Sequence, residues 1–452
     1  MLKGQIFDYL TSIGQRQLSA GIDQLSSTQL ESFFAQLKKH DALLLKRQRE
    51  ALFRTRPLPS AIEPLTLFEN SGHVESRTVG MELLSKGKVG CLFLAGGQGS
   101  RLGVKGPKGL VPVTPILRKP LFQLLLEKSV AAAKQAGHTL PVAIMTSPLN
   151  HIETISFLEK QRYFGLKEQN CSFFVQGMLP HLDNRGDWLL ESPGRLAEGA
   201  DGNGGALINF FNSGIWAKWK ERGVEYLNII PIDNALGDPF DAEQIGACHL
   251  SQADAVLKGI TRLHKDEQLG VVGLVQGHVC IIEYTELPEQ EKNAADVDGT
   301  LRWKIANSGL FSFRMDFIER LAKDPHFFLP WHVAKKSSEI LLMNSKGSFQ
   351  ETVKIWKCET FLFDVLNFTT RAKVLVYPRD EVYAPLKNAT GPNSLDEVQA
   401  ALEQADRRAF KKVTGRELPK GKFELDPAFY YPTADLIEKW RGREPVPGYV
   451  EA

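Results

Sequence analysis

The feature that most limits the fold is Val89-Gly90-Cys91-Leu92-Phe93-Leu94-Ala95, an unbroken apolar run that ends in a glycine-rich turn. A strand with one wet face alternates polar and apolar residues. A continuous run needs cover on both faces, as in a parallel sheet flanked by helices. Similar runs recur at Val142–Met145, Phe173–Val175 and Leu227–Ile232, with helix-like segments at Leu121 to Ala136 and around Ile208 to Trp219. Strands alternating with helices predict a doubly wound, mainly parallel α/β sheet, whose ligands sit beyond the carboxyl ends of the strands.

The flanks read differently. Residues 1–65 form an N-terminal helical region: Ser26-x-x-Gln29 is a capping box, and Leu30, Phe33, Phe34 and Leu37 make an apolar stripe at helical spacing. Pro57, Pro59 and Pro64 mark a linker. A catalytic domain is expected over 66–394, and beyond about residue 250 its pattern loosens into shorter strands such as Val271–Val275 and Val279–Tyr284. Residues 395–452, a charged helix (Leu395 to Lys412) and a proline-punctuated tail, form a small C-terminal region.

Composition narrows the function classes. The 452 residues carry 55 basic and 53 acidic side chains, a net charge of +2 that gives no basis for a nucleic acid or an acidic membrane as main partner. Cys91, Cys171, Cys248, Cys280 and Cys358 are scattered without metal-ligand spacing, as free thiols in a reducing compartment would be. The first ten residues lack the plan of a signal peptide, and no apolar run approaches the roughly 20 residues that span a bilayer. The expectation is a soluble, cytoplasmic protein.

The turn after the first buried strand carries the strongest chemical signal. Ala95-Gly96-Gly97-Gln98-Gly99-Ser100-Arg101 is followed by Pro107-Lys108-Gly109. Glycines let a ligand approach the main chain, whose successive N–H groups converge on phosphate oxygens, while Arg101 and Lys108 supply the charge a polyphosphate requires. A Walker A loop is absent, and the dinucleotide pattern Gly-x-Gly-x-x-Gly fails because its third position is Leu102. Downstream, Leu227 to Ile232 delivers Asp233 at a strand's carboxyl end, where one carboxylate together with substrate phosphates suits a hard ion such as Mg²⁺ or another divalent cation. The other use for an acid there is to cap the next helix. Gln176, also at a strand end, can both donate to and accept from a pyrimidine edge.

Leu-Ala-Gly-Gly-Gln-Gly-Ser-Arg-Leu-Gly with Pro-Lys-Gly, from Leu94 to Gly109, resembles the signature of the UDP-sugar pyrophosphorylases. It is most similar to the eukaryotic-type UDP-N-acetylhexosamine enzymes, and the motifs keep their order from about residue 20 to 390. The resemblance implies a Rossmann-like nucleotidyltransferase fold. It places Ala95, Gly96, Gly97, Gln98 and Gly99 around the nucleotide, with Arg101 and Lys108 on the triphosphate. It makes Gln176 a uracil reader. Asp201-Gly202-Asn203-Gly204-Gly205 resembles the loop of the acetylhexosamine branch, with Gly202 near uracil and Asn203 near the sugar; glucose-specific relatives carry a His-Gly loop instead. Gly270, Glu283, Tyr284, Asn307, Phe361 and Phe363 match sugar-contacting positions, and Lys387 in Tyr383-Ala384-Pro385-Leu386-Lys387-Asn388 matches a lysine on the sugar's phosphate. In Leu329-Pro330-Trp331-His332, the histidine is expected to pack a helix start rather than touch the nucleotide.

The implied reaction is attack by a sugar 1-phosphate oxygen on the α-phosphorus of UTP, releasing pyrophosphate and a UDP-sugar. N-acetylglucosamine 1-phosphate is the favoured acceptor, with glucose 1-phosphate or galactose 1-phosphate as the alternative. The attacking phosphate is already ionised, so no general base is required. A non-enzymatic UDP-sugar sensor is the reading from another class; such a protein could dispense with Arg101, Lys108 and Lys387.

Overall fold

The computed structural model describes residues 2–54, 62–344 and 347–452, so Pro57 and Pro59 of the expected linker lie outside the described residues. Two compact units emerge, and they cut across the boundaries expected at 65/66 and 394/395. One comprises Met1–Pro57, Gln176–Gly205 and Phe328–Leu362, the other Leu58–Val175, Ala206–Phe327 and Phe363–Ala452. The reason is where apolar surface is covered. The N-terminal helices share a core with Leu182, Trp188, Leu190, Leu196 and Cys358. The C-terminal helix Leu395–Thr414 contributes Val398, Leu402 and Ala405 to the core of the larger unit.

Among the described residues the larger unit is built on eleven strands: β1 (Ile62–Pro64), β2 (Glu69–Asn70), β3 (Val89–Leu94), β4 (Val142–Thr146), β5 (Cys171–Val175), β6 (Tyr226–Pro231), β7 (Ala255–Thr261), β8 (Val271–Val275), β9 (His278–Ile282), β10 (Ile305–Arg314) and β11 (Ala372–Val376). Their main path runs β2-β11-β7-β10-β6-β3-β4-β5, with the β8–β9 hairpin and β1 attached beside β10. Every pairing along that path is parallel except those of β10, which opposes both β6 and β7. The carboxyl ends of β3, β6, β7 and β11 therefore share one edge. The sheet is mainly parallel and doubly wound, as expected, and the loosened region after residue 250 is a sheet extension.

Local chemistry accounts for the elements that frame that edge. Each residue of β3 and β4 is buried, which explains their unbroken apolar runs. Leu121–Ala136 buries Leu121, Phe122, Leu124, Leu125 and Leu126 and ends at the left-handed Gly137. The stretch around Ile208 to Trp219 is two short helices, Ala206–Asn212 and Ile215–Glu221, parted at Gly214 with φ +79°. Val74–Ser85 crosses Ala242–Leu250 so closely that a Cβ on Gly246 would lie 1.7 Å from the Ser76 carbonyl oxygen. Only a residue without a side chain permits that approach.

Among the described residues the α-helices of the smaller unit are Leu2–Ser12, Ser27–Leu37 and Ala42–Phe53. The capping box is present as expected: Gln29 N–H donates to Ser26 Oγ at 3.3 Å and Ser26 N–H to Gln29 Oε1 at 2.9 Å. A long antiparallel hairpin, His332–Asn344 with Gly347–Glu359, completes this unit. His332 therefore opens a strand. It pairs with Glu359, and the antiparallel ladder runs in register from there to Asn344 and Gly347.

Candidate active site

In the larger unit the site begins where β3 and β6 end side by side. Leu94 and Pro231 are paired in register, and Ile232 N–H donates to the Leu94 carbonyl at 3.0 Å. The glycine-rich loop leaves one strand and Asp233 the other. The loop is folded on itself: Gly99 N–H donates to Gly106 O at 2.9 Å and Lys108 N–H to Gly97 O at 3.1 Å. Asn150, 1% exposed, donates its Nδ2 to Ala95 O at 2.9 Å and to Gly97 O at 3.4 Å. That side chain clamps the loop from below. At Gly97 a Cβ would meet no atom within 4 Å, so the main chain there stands open for a ligand.

These contacts bring Lys108 to Asp233, Nζ to Oδ2 at 3.1 Å. Capping of the next helix falls to Asp241, whose side chain accepts from Glu243 N–H and Gln244 N–H, and not to Asp233. Among the described residues no three His, Cys, Asp or Glu side chains are grouped to hold a metal. Asp233 is a partly exposed carboxylate already facing a cation. It fits a divalent ion that takes one protein oxygen and completes its shell with water and phosphate oxygens.

The second anchor follows β11. Asn234, 1% exposed, donates Nδ2 to Val382 O at 2.7 Å and accepts at Oδ1 from Ala384 N–H at 2.9 Å. Leu386 N–H donates to Asp233 O at 2.8 Å. The segment carrying Lys387 is thus bound to the segment carrying Asp233. Lys387 shares a cavity of about 900 Å³ with Arg101, Tyr284, Tyr383, Arg379 and Asn388. Burial opposes the charge on Lys387, but Tyr383, Asp233 and Glu283 outweigh it and hold the lysine above its usual range. It stays cationic at any working pH.

The other sugar-side residues of this unit lie around the β8–β10 junction. Asn307 N–H donates to Gly270 O at 2.9 Å, and a Cβ on Gly270 would stand 3.6 Å from Glu283 Oε1. Phe363, 6% exposed, is the second residue of a 3-10 helix, Leu362–Phe368. Beneath Asp233 a buried lysine, Lys128, donates to Ala235 O at 3.0 Å and Gly237 O at 3.3 Å; burial lowers its pKa to about 8. Asp238 accepts from the Tyr431 hydroxyl. Burial raises its carboxyl above the ordinary range. It is therefore part of a buried network as well as of the turn to Phe240.

In the smaller unit three segments are laced together. Asp201 N–H donates to Gly177 O at 3.1 Å, Thr360 N–H to Asp201 O at 2.8 Å, and Gly204 N–H to Thr360 O at 3.0 Å. Asn203 Oδ1 accepts from Leu362 N–H at 2.9 Å. Gln176, Gly202, Asn203 and Phe361 are thereby held in one small assembly. At Gly202 φ is +89°, and a Cβ would lie 2.2 Å from Thr360 O. The Phe361 ring lies against that of His332, with centroids 4.7 Å apart and planes tilted by 48°.

Sequence reading had not singled out Thr360, Asn150 or Tyr383. Thr360 and Asn150 work through hydrogen bonds to residues far away in the chain, which spacing along the sequence does not disclose.

A glycine loop, two or more cations and a strand-end acid at the carboxyl edge of a mainly parallel sheet define a nucleotidyltransferase-like centre. The family described as UTP-glucose-1-phosphate uridylyltransferase matches residues 60–410. UDP-N-acetylglucosamine diphosphorylase 2 of Arabidopsis thaliana is 29% identical over 415 residues, covering 86% of this chain and 80% of that one. UDP-N-acetylhexosamine pyrophosphorylase-like protein 1 of Xenopus tropicalis is 30% identical over 400 residues, 83% of this chain and 78% of that one. In fold, the crystal structure of the uridine diphosphate N-acetylglucosamine pyrophosphorylase from Trypanosoma brucei, solved with an inhibitor, superposes with a TM-score of 0.81 at 23% identity, over 100% of this chain and 98% of that one. The chain belongs to the UTP-glucose-1-phosphate uridylyltransferase family and is a UTP:sugar-1-phosphate uridylyltransferase. Among the described residues no helix is long and apolar enough to cross a membrane.

Proposed function

We propose that the protein joins UTP to N-acetylglucosamine 1-phosphate, with a divalent cation, Mg²⁺ by preference, at Asp233. The observation that carries the choice of sugar is the Asp201–Gly205 loop, where Asn203 is fixed by the Leu362 N–H at 2.9 Å. Names of the Arabidopsis and Xenopus relatives support the same acceptor class.

In this reading the loop from Ala95 to Gly99 cradles the triphosphate through the N–H groups of Gly96, Gly97 and Gln98, with Arg101 and Lys108 neutralising it. Gln176 and Gly202 meet the uracil; Gly270, Glu283, Tyr284, Asn307, Asn203, Phe361 and Phe363 shape the sugar side. Lys387 draws in the phosphate of the acceptor, whose oxygen attacks the α-phosphorus in line as pyrophosphate leaves. A bound cation would neutralise charge on the phosphates. The chain's own work is to bring two polyanions together, hold them aligned and screen their repulsion. All five cysteines are unpaired, which supports a reducing compartment, and we assign the activity to the cytoplasm.

The test is pyrophosphate release from UTP and Mg²⁺ with N-acetylglucosamine 1-phosphate, glucose 1-phosphate and galactose 1-phosphate side by side. The acetylated sugar is expected to give the highest kcat/KM. A preference for either unsubstituted hexose would overturn the reading of the Asp201–Gly205 loop and leave the chemistry standing.

A further inference from the structure

Beside Lys387 the cavity wall carries a phenol. Tyr383 caps the short helix Arg379–Val382, is 9% exposed and faces the cavity shared by Arg101, Tyr284 and Lys387. The Lys387 ammonium donates to its hydroxyl oxygen at 3.3 Å and stands 5.8 Å from its ring centroid. A second cation, Arg379, lies 5.1 Å from the same ring, held by an ion pair of 2.7 Å to Glu267.

The backbone at this tyrosine is fixed from both neighbours. Asn234 takes Val382 on one side and Ala384 on the other, at 2.7 Å and 2.9 Å. The main chain on either side of the tyrosine, and that of Leu386 next to the lysine, is thereby tied to the strand end that carries Asp233.

A phenol that accepts from an ammonium keeps its own O–H to donate. That donor is polarised by the cation beside it, and it sits where an anion would meet Lys387. Burial raises the pKa of Tyr383, so the hydroxyl keeps its proton throughout the working pH range.

We infer that Tyr383 is a further binding residue for the sugar 1-phosphate: it holds the Lys387 ammonium by accepting one hydrogen and donates its O–H to a phosphoryl oxygen of the acceptor. This rests on the assignment of Lys387 to that phosphate. A lysine alone is a flexible point charge, whereas the lysine–phenol pair presents two donors at a fixed separation. The pair therefore aligns the attacking oxygen as well as attracting it.

Steady-state kinetics on wild type, Tyr383→Phe, Lys387→Met and the double variant, with a radiolabelled sugar 1-phosphate to reach low rates, separate the two claims. Tyr383→Phe is expected to lower kcat/KM for the sugar 1-phosphate roughly tenfold, as loss of one hydrogen bond to a charged group does, with KM for UTP unchanged. In the Lys387→Met background the same change is expected to cost about twofold or less, because the partner that orients the phenol is gone. Wild-type kinetics in Tyr383→Phe overturn the inference, as does an equal loss toward both substrates. Wild-type kinetics in Lys387→Met overturn instead the assignment of Lys387 on which it rests.

Discussion

Lys108 and Asp233 meet at 3.1 Å, from loops that leave adjacent parallel strands, with both side chains less than one-fifth exposed. A cation and an acid so placed can exchange partners with a phosphate and a divalent ion at little structural cost. Replacing Asp233 with Asn removes the charge that holds the ion. The divalent cation concentration for half-maximal rate should rise by tenfold or more, measured by titrating Mg²⁺ into the assay at fixed UTP. Lys108→Ala should abolish turnover while the melting temperature stays within about 5 °C of wild type. An unchanged Mg²⁺ requirement would remove Asp233 from the metal site.

Asn234 should matter to both stability and catalysis. Its amide makes two buried hydrogen bonds, to Val382 O and from Ala384 N–H. Asn234→Ala leaves both backbone groups unpaired, a loss of about 1–3 kcal/mol in urea unfolding. The catalytic loss should fall on kcat/KM for the sugar 1-phosphate, because the Lys387 segment is what comes loose. A loss in stability with unchanged kinetics would show that Lys387 is held by other means.

Gly202→Ala forces a side chain into a left-handed conformation and into the Thr360 carbonyl, 2.2 Å away. The expected outcome is destabilisation by about 2–4 kcal/mol, read as a lower melting temperature. Weaker UDP-sugar binding by calorimetry should accompany it. Asn203→Ala, which introduces no clash, should weaken binding without the same fall in melting temperature.

Asp201 sets a dependence on pH. Burial outweighs its own backbone N–H and Lys357 and lifts its carboxyl to about 6, and among the described residues its Oδ1 has no hydrogen-bond partner. The folded protein therefore holds a proton on Asp201 at pH values where the unfolded chain, with an ordinary value of 3.8, has released it. The native state binds more protons between about 4 and 6, so this group's contribution to stability is full below that window and is lost as pH rises through it. Asp201→Asn should raise stability above pH 6 by about 1–3 kcal/mol and leave it unchanged below pH 4, followed by urea unfolding at each pH.

The parts legible in the sequence are those whose physics is local. β3, β4 and β6 are covered on both faces and so read as continuous apolar runs, and the loop after β3 announces itself by glycines whose main chain has to stay open. Ser26 and Gln29 bond each other across three residues, and spacing alone reveals them. β10 escaped notice as a central strand because Ser308 and Ser312 interrupt its apolar pattern. Both are buried and satisfied by distant partners, Ser308 by Lys258 O at 2.7 Å and Ser312 by Asn228. The long hairpin from His332 was hidden by its charged residues. The division into units was hidden because three separate stretches of chain share one core.

The bonds from Asn234 to Val382 and Ala384, and from Leu386 to Asp233, have an evolutionary consequence. They fix the spacing between acid and lysine in the backbone, where few substitutions reach. Mutations that retune the sugar while leaving phosphoryl chemistry intact are then expected elsewhere on the cavity wall. The stretch from Leu263 to Leu269, whose Leu263 is 65% exposed, lines that wall outside the hydrogen-bonded frame. A lineage can explore new acceptors there while inheriting the reaction unchanged.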